Sequence, residues 1–428
     1  MKKIFIVLLS LFAMCAFAQQ SRILPCSPEY GRILTLRTEV GGFLDPLPVL
    51  TLGSGQEVEV SFDEMSHEYH RYVYRLQHCD FAWQPTEDLF YSEYAESTQD
   101  DVPIEDYTES QNVTTHYTHY AFTFPNDDMR ALVSGNYRLT ILCDEGSEPV
   151  PVAEVCIRML EPLVSINADL TTNTEVDVNA HHQQVTMTID CTKLNVRDLR
   201  EEVHTIVLQN DRLDNAVVDA APSYINGDKA IWDHQRSLVF PAANEYRKFE
   251  ILSPRYPGLH TESIHYHDPF LHATIMTDEQ RRNYLAVEDL NGINVIRNSD
   301  NQDDLTETEY MLTHFTLECD EPFLDADVFL NGKWTTGGVS PEWKLTYDKE
   351  EKAYVGTYML KMGYYNYQYL VVPRENQLKR TLFGEPCGFT EPFEGDYYQT
   401  SNDYRILVYH HQPGARYDRL VGAATLKR

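Results

Sequence analysis

Residues 135–143 read Gly-Asn-Tyr-Arg-Leu-Thr-Ile-Leu-Cys. In an extended chain, Tyr137, Leu139, Ile141 and Cys143 fall on one side. A period of two over this length predicts a strand with one buried face. The same pattern recurs nearby. Tyr72, Tyr74 and Leu76 share a face, as do Tyr120, Phe122 and Phe124, with His119, Ala121 and Thr123 opposite. Helical periodicity is scarce; Thr277–Leu285, an N-cap residue followed by Asp278 and Glu279, predicts one short helix. The chain holds 28 Tyr and 18 Phe, residues that suit pleated, half-buried surfaces. The fold class read from this is all-β and mainly antiparallel.

A second stretch echoes the first. Gly363-Tyr364-Tyr365-Asn366-Tyr367 again places a Tyr two residues after a Gly at the start of an alternating strand. Sandwich domains often put a Tyr near a late strand so that its hydroxyl bonds upstream backbone. Two such patterns predict tandem β-sandwich modules of the Ig-like or E-set-like kind. Punctuation supplies the boundaries. We expect a leader over 1–18, an N-terminal β-sandwich over 19–160 and a middle β-rich domain over 161–300. A C-terminal Ig-like, carbohydrate-module-like sandwich over 301–411 and a tail over 412–428 follow. The polar, acidic run Asn298–Asp304 reads as the linker before the third unit.

The leader has Lys2 and Lys3, an apolar run from Ile4 to Phe12, and Ala16-Phe17-Ala18, a small-residue cleavage site. Cleavage after Ala18 predicts a periplasmic protein; Met14 before Cys15 does not suit lipid attachment. No later stretch reaches the ~18 apolar residues that span a bilayer. The net charge is −31, with 66 Asp and Glu against 35 Lys and Arg. This acidity argues against nucleic acid or an anionic membrane surface as partner. Loss of Cys15 leaves seven of eight cysteines, an odd number. Cys143 and Cys156 flank a predicted hairpin and are candidates to bond.

Catalytic equipment is not evident. No G-x-S-x-G elbow, Walker loop, H-E-x-x-H or dinucleotide fingerprint occurs, and no C-x-x-C. His265 and His267 would share a strand face with Asp268 following, two-thirds of a metal site with no third ligand named; two polar side chains turned to water explain the pair more simply. His181-His182 and His410-His411 are adjacent, so a strand splits each pair between faces. Asp300, Gln302 and Asp304 imitate an EF-hand opening, but Leu305 stands where the Gly belongs. The sequence therefore predicts no cofactor, no metal and no enzymatic activity.

The third unit contains Val328-Phe329-Leu330-Asn331-Gly332-Lys333-Trp334, a strand ending in the hairpin dipeptide Asn-Gly. Its order of strands resembles starch- and glycogen-binding sandwich modules. That makes Trp334 a candidate aromatic surface, although residues 331–334 match the usual motif only in part.

Longer motifs point elsewhere. They are His78-Cys79-Asp80-Phe81-Ala82-Trp83-Gln84-Pro85 followed by Ser92-Glu93-Tyr94, then His116–Asn126, and Ser134-Gly135-Asn136-Tyr137. Further on come Gln209-Asn210, Asn244-Glu245-Tyr246-Arg247-Lys248-Phe249, and Tyr397–Tyr404 with the ending beyond it. In this order they resemble the plug protein family of the type IX secretion system. One departure is Ala242-Ala243, where a Gly is expected. The resemblance implies a non-enzymatic periplasmic subunit that sterically closes the outer-membrane β-barrel translocon, its partner, without inserting in the membrane. A periplasmic or surface carbohydrate-binding protein is the alternative.

Arg405–His410 reads as a last strand, yet the chain continues through Pro413-Gly414. Arg416, Tyr417 and Arg419 are the candidate residues there. They either dock on a partner or latch the tail onto the chain's own sheet, with Tyr417 and Leu420 covering an edge.

Overall fold

The computed structural model describes residues 20–25, 32–300, 303–336, 338–375 and 386–427. The predicted leader, Met1–Ala18, lies outside them. Among the described residues nearly all regular structure is β, and antiparallel pairs dominate.

The strand Gly135–Cys143 lies between Tyr72–Cys79 and Val150–Leu160, with Tyr137, Leu139, Ile141 and Cys143 buried in one core. Opposite them stands the sheet Phe43–Leu44, Ile33–Val40, Val58–Glu64, Thr118–Phe124, Asp106–Glu109. Val58, Val60 and Phe62 face the same core as Tyr120 and Phe124. Phe62 and Tyr120 stack with centroids 5.2 Å apart. This is a sandwich closed by alternating faces.

The C-terminal sheet runs Arg247–Ile251, Gly363–Pro373, Ala326–Asn331, Lys344–Asp348, Ala353–Lys361, Tyr310–Glu318, Phe270–Ile275, Thr261–His267. It curls around Phe249, Phe315, Tyr365 and Tyr367, so it is nearly a closed barrel. The two glycine–tyrosine echoes resolve alike. Tyr137 donates its hydroxyl to the Val133 carbonyl at 2.8 Å, and Tyr365 to the Lys361 carbonyl at 2.5 Å, each four residues upstream. A middle sheet of Ser165–Thr171, His182–Asp190, Lys229–Trp232 and Tyr224–Asn226 packs a separate core around Val185, Ile189 and Trp232.

Four expectations differ from what is observed. Arg405–His410 lies within the strand Asp403–His410, but Arg419–Lys427 follows as another strand. It lies between Asp403–His410 and Val150–Leu160 inside the longest sheet, and Val203–Gln209 flanks Asp403–His410 on the other side. The end of the chain thus joins the first sandwich's sheet to the middle unit. Thr277–Leu285 is not a helix; Asp278 turns inward to a buried guanidinium. Asn331-Gly332 does not make a tight hairpin, because Ala326–Asn331 pairs with Lys344–Asp348 across a longer connection. Cys143 and Cys156 are not opposed. The register sets Cys143 beside Val150 and Cys156 beside Arg138, five positions or about 17 Å along the strand.

Candidate functional site

The tail and the loop after Tyr72–Cys79 form one site. The loop closes on itself: Asp80 N–H donates to the Gln84 carbonyl at 2.8 Å and Trp83 N–H to the Asp80 carbonyl at 3.0 Å. Trp83 is fully buried, with the Arg158 guanidinium 4.9 Å above its ring. Next to these bonds, Phe81 N–H donates to Asp418 Oδ2 at 2.7 Å. Phe81 packs edge-on against Tyr409 with centroids 5.0 Å apart.

Gly135 explains why the tail fits. Its φ is +136°, and a Cβ there would lie 2.6 Å from His78 Nε2 and 2.9 Å from the Asp418 carbonyl oxygen. Only glycine lets the tail backbone come this close. His78 is buried, and desolvation pushes its pKa down to about 4, so it is neutral. Its ring meets the Tyr137 ring at 5.0 Å and the Tyr417 ring at 5.5 Å, both edge-on.

The candidate tail residues all meet this chain. Arg416 Nη2 reaches Glu93 Oε1 at 2.7 Å, and Arg416 lies exposed. Tyr417 packs against the first core. Arg419 Nη2 meets Glu161 Oε2 at 2.6 Å. Leu420 is buried in its strand, paired in parallel with Leu160. Trp334 is elsewhere. It is half-buried, donates its indole N–H to the Asn366 carbonyl at 2.7 Å, and meets Trp343 and Tyr365 edge-on. It lines a cavity of about 270 Å³ between Ile33–Val40 and the C-terminal sheet. His265 and His267 are exposed on one strand, and His410 is buried while His411 is not. Among the described residues no three His, Cys, Asp or Glu side chains are placed to hold a metal ion together. None of the described helices is long and apolar enough to cross a membrane.

Sequence reasoning missed the charged nodes that join the units. Asp211 is one. Its carboxylate contacts Lys333 Nζ at 2.8 Å and Arg405 Nε at 2.7 Å, and Arg405 Nη2 continues to Asp45 Oδ1 at 3.0 Å. Four distant parts of the chain meet there. Burial would raise the Asp211 pKa, but Arg405 and Lys333 outweigh it and hold the carboxyl well below its ordinary value. Asp63 is the second node. It accepts from Lys361 Nζ at 2.7 Å, Tyr310 Oη at 2.6 Å and His119 Nδ1 at 2.6 Å, joining the first sandwich to the C-terminal sheet. A third node is local to the C-terminal unit: Arg247 bridges Asp278 at 2.7 Å and Glu394 at 3.0 Å. The only sequence signal for these was polar residues amid apolar runs. The departure at Ala242-Ala243 has a plain outcome. Ala243 adopts φ +53°, and its carbonyl accepts from Tyr397 N–H at 2.9 Å and Thr400 Oγ1 at 2.9 Å.

Comparison with known proteins follows from this geometry. The model of the type 9 secretion system plug protein 1st domain matches residues 33–158, the first sandwich with its Gly135 motif. The crystal structure of a hypothetical protein from Parabacteroides merdae ATCC 43184 superposes with a TM-score of 0.88. It is 36% identical and covers 95% of this chain and 99% of its own. The structure of dimeric latent PorU from Porphyromonas gingivalis shares 10% identity over 92% of this chain and 34% of its own. Its TM-score is 0.15. No curated protein matches. The match to the first sandwich, where the most unusual motifs cluster, identifies the chain as a member of the type IX secretion system plug protein family.

Proposed function

We propose that this protein is a non-enzymatic periplasmic plug that closes the outer-membrane β-barrel translocon of the type IX secretion system by bulk and shape. Family membership carries the reading. A plug must be stiff and too wide to thread the lumen. Buried charged nodes at Asp211 and Asp63 tie the first sandwich, the middle unit and the C-terminal sheet into one body. The tail, 412–428, serves as an internal latch: Arg416, Tyr417 and Arg419 hold it on the first sandwich rather than offering it to a partner. A plug must also release. The net charge of −31 suits a contact with a large electrostatic share, whose association slows as salt rises.

The test is conductance. Purified translocon in a planar bilayer closes when the mature chain is added from the periplasmic side, and reopens at high salt. Unchanged conductance, with no translocon recovered by the tagged chain from its native envelope, overturns the reading. Arg416→Ala with Arg419→Ala separates the tail's two roles. A lower melting temperature with normal closure supports the latch, and normal melting with lost closure makes the tail a docking element.

A further inference from the structure

A groove on the C-terminal unit runs against the charge of the molecule. It has a volume of about 540 Å³ and lies between the strand Arg247–Ile251 and the irregular segment 279–290. Leu259, Leu285 and Val287 supply its apolar wall. Leu285 is 72% exposed and Leu259 47%, so both leave apolar surface open to water. Lys248 and Arg282 supply its charge. Lys248 Nζ donates to the Glu288 carbonyl at 3.3 Å, and Arg282 is exposed. Neither is within ion-pair distance of a carboxylate among the described residues. The other charged groups of the wall are satisfied within the chain. Asp278 is held by Arg247, Tyr367 and Tyr369. Glu245 accepts from Tyr284 Oη at 2.8 Å and Ser401 N–H at 3.1 Å, and Arg281 meets Glu394 Oε2 at 3.6 Å. On a chain of net charge −31, two unpaired cations beside exposed leucines make a surface complementary to an anion with an apolar body.

The backbone adds a third element. Arg247–Ile251 ends its sheet, with Gly363–Pro373 on one side only. On its open side Tyr246 N–H donates to Asp289, Glu250 N–H donates to the Leu259 carbonyl at 2.9 Å, and the Glu250 carbonyl accepts from Thr261 Oγ1 at 2.7 Å. Backbone groups alternate between the two sides of a strand, so Lys248, midway between Tyr246 and Glu250, turns its N–H and carbonyl to that same side. One open rung is left between two filled ones. A second strand has no room to run alongside, but a single end residue does.

We propose that this groove captures the carboxyl terminus of a partner polypeptide whose last side chain is apolar. The end of the partner takes the Lys248 rung. Its carboxylate is met by the Lys248 ammonium and the Arg282 guanidinium, and its last side chain lies against Leu259, Leu285 and Val287. An internal acidic strand would need a longer open edge, and a lipid tail would leave the rung unpaired. The site does not depend on the plug reading.

The test titrates fluorescein-labelled Gly-Ser-Gly-Val-Leu, with a free carboxylate, against the mature full chain at low salt, followed by fluorescence anisotropy. Saturable binding is expected, weakened at least about tenfold when the same peptide ends in an amide. Arg282→Gln and Lys248→Gln each weaken it about tenfold, and Leu285→Asp abolishes it. Arg282 and Leu285 are exposed, so these variants keep the fold, which an unchanged melting temperature verifies. Arg416→Gln, on the first sandwich, changes nothing. Equal affinity for the free and amidated ends, equally tight binding of an amidated glutamate-rich peptide, unchanged binding in the Lys248/Arg282 double variant, or no saturable binding at all would overturn the proposal.

Discussion

Asp211→Asn removes one charge where the units meet and little else. Asp211 has φ +60°, a left-handed conformation that Asn tolerates as well as Asp, so the backbone is not taxed. What changes is the partner of Lys333 and Arg405. The Asp211 and Lys333 side chains are 7% and 9% exposed, so the ammonium loses its counter-charge in a site that water barely reaches. Breaking a buried pair by removing one partner costs about 3–5 kcal/mol, and Arg405 keeps Asp45, which places the expected loss near about 3 kcal/mol. An unfolding entropy of about 2.1 cal/mol/K per residue over roughly 400 residues turns that into a melting shift of about 4 °C, provided the chain unfolds as one unit. Urea unfolding followed by far-ultraviolet dichroism, with proteolysis of the separate units, reads both quantities. Lys333→Met on top of Asp211→Asn recovers part of the loss, since the stranded cation is gone. A loss under about 1 kcal/mol, or a transition that shifts for one unit while the others stay put, would refute the idea that these charges weld the body together.

Other outcomes follow from the same geometry. Gly135→Ala destabilises by about 3 kcal/mol, from left-handed strain and the clash with His78 and the Asp418 carbonyl, and raises hydrogen exchange over 414–427. His78 is held neutral with a folded pKa of about 4 against an unfolded value near 6.5, so its contribution is complete above pH 6.5 and shrinks as pH falls toward 4. The loss reaches about 3 kcal/mol and is absent in His78→Gln, which urea midpoints at pH 7 and 4.5 would reveal. Asp278 behaves similarly at lower pH. Burial is outweighed by Arg247 and keeps its pKa near about 2, so roughly 2 kcal/mol is lost only as pH drops below about 4. Tyr137→Phe and Tyr365→Phe each cost about 1–2 kcal/mol, because each strands a carbonyl four residues upstream.

Local alternation was readable because it needs no partner: Tyr137, Leu139 and Ile141 declare their face whatever lies opposite. The tyrosine corners were readable too, since donor and acceptor are four residues apart. The strand Arg419–Lys427 was not. Gly422-Ala423-Ala424 has little strand preference of its own, and the segment is extended because two ladders hold it. Gly422 makes room there, as a Cβ would clash with the Val164 side chain. Asp211, Lys333, Arg405 and Asp45 are ordinary surface residues to a reader of sequence, and only the folded chain brings them together. The helix expected at Thr277–Leu285 failed for a related reason. Asp278 satisfies Arg247 and accepts from Tyr367 and Tyr369 at 2.8 and 2.7 Å, and these bonds outweigh one turn of helix.

The placement of Arg419–Lys427 also dictates an order of events. Arg22–Ile23 and Val49–Thr51 already border Val150–Leu160, so what waits for the distant strand is the contact at Leu160 and the whole free flank of Asp403–His410. Contacts this distant in sequence form slowly. A molecule cut between His410 and Arg419 keeps an unpaired edge on Asp403–His410 and becomes open to proteolysis there. The longest sheet is thereby sealed by its most distant strand.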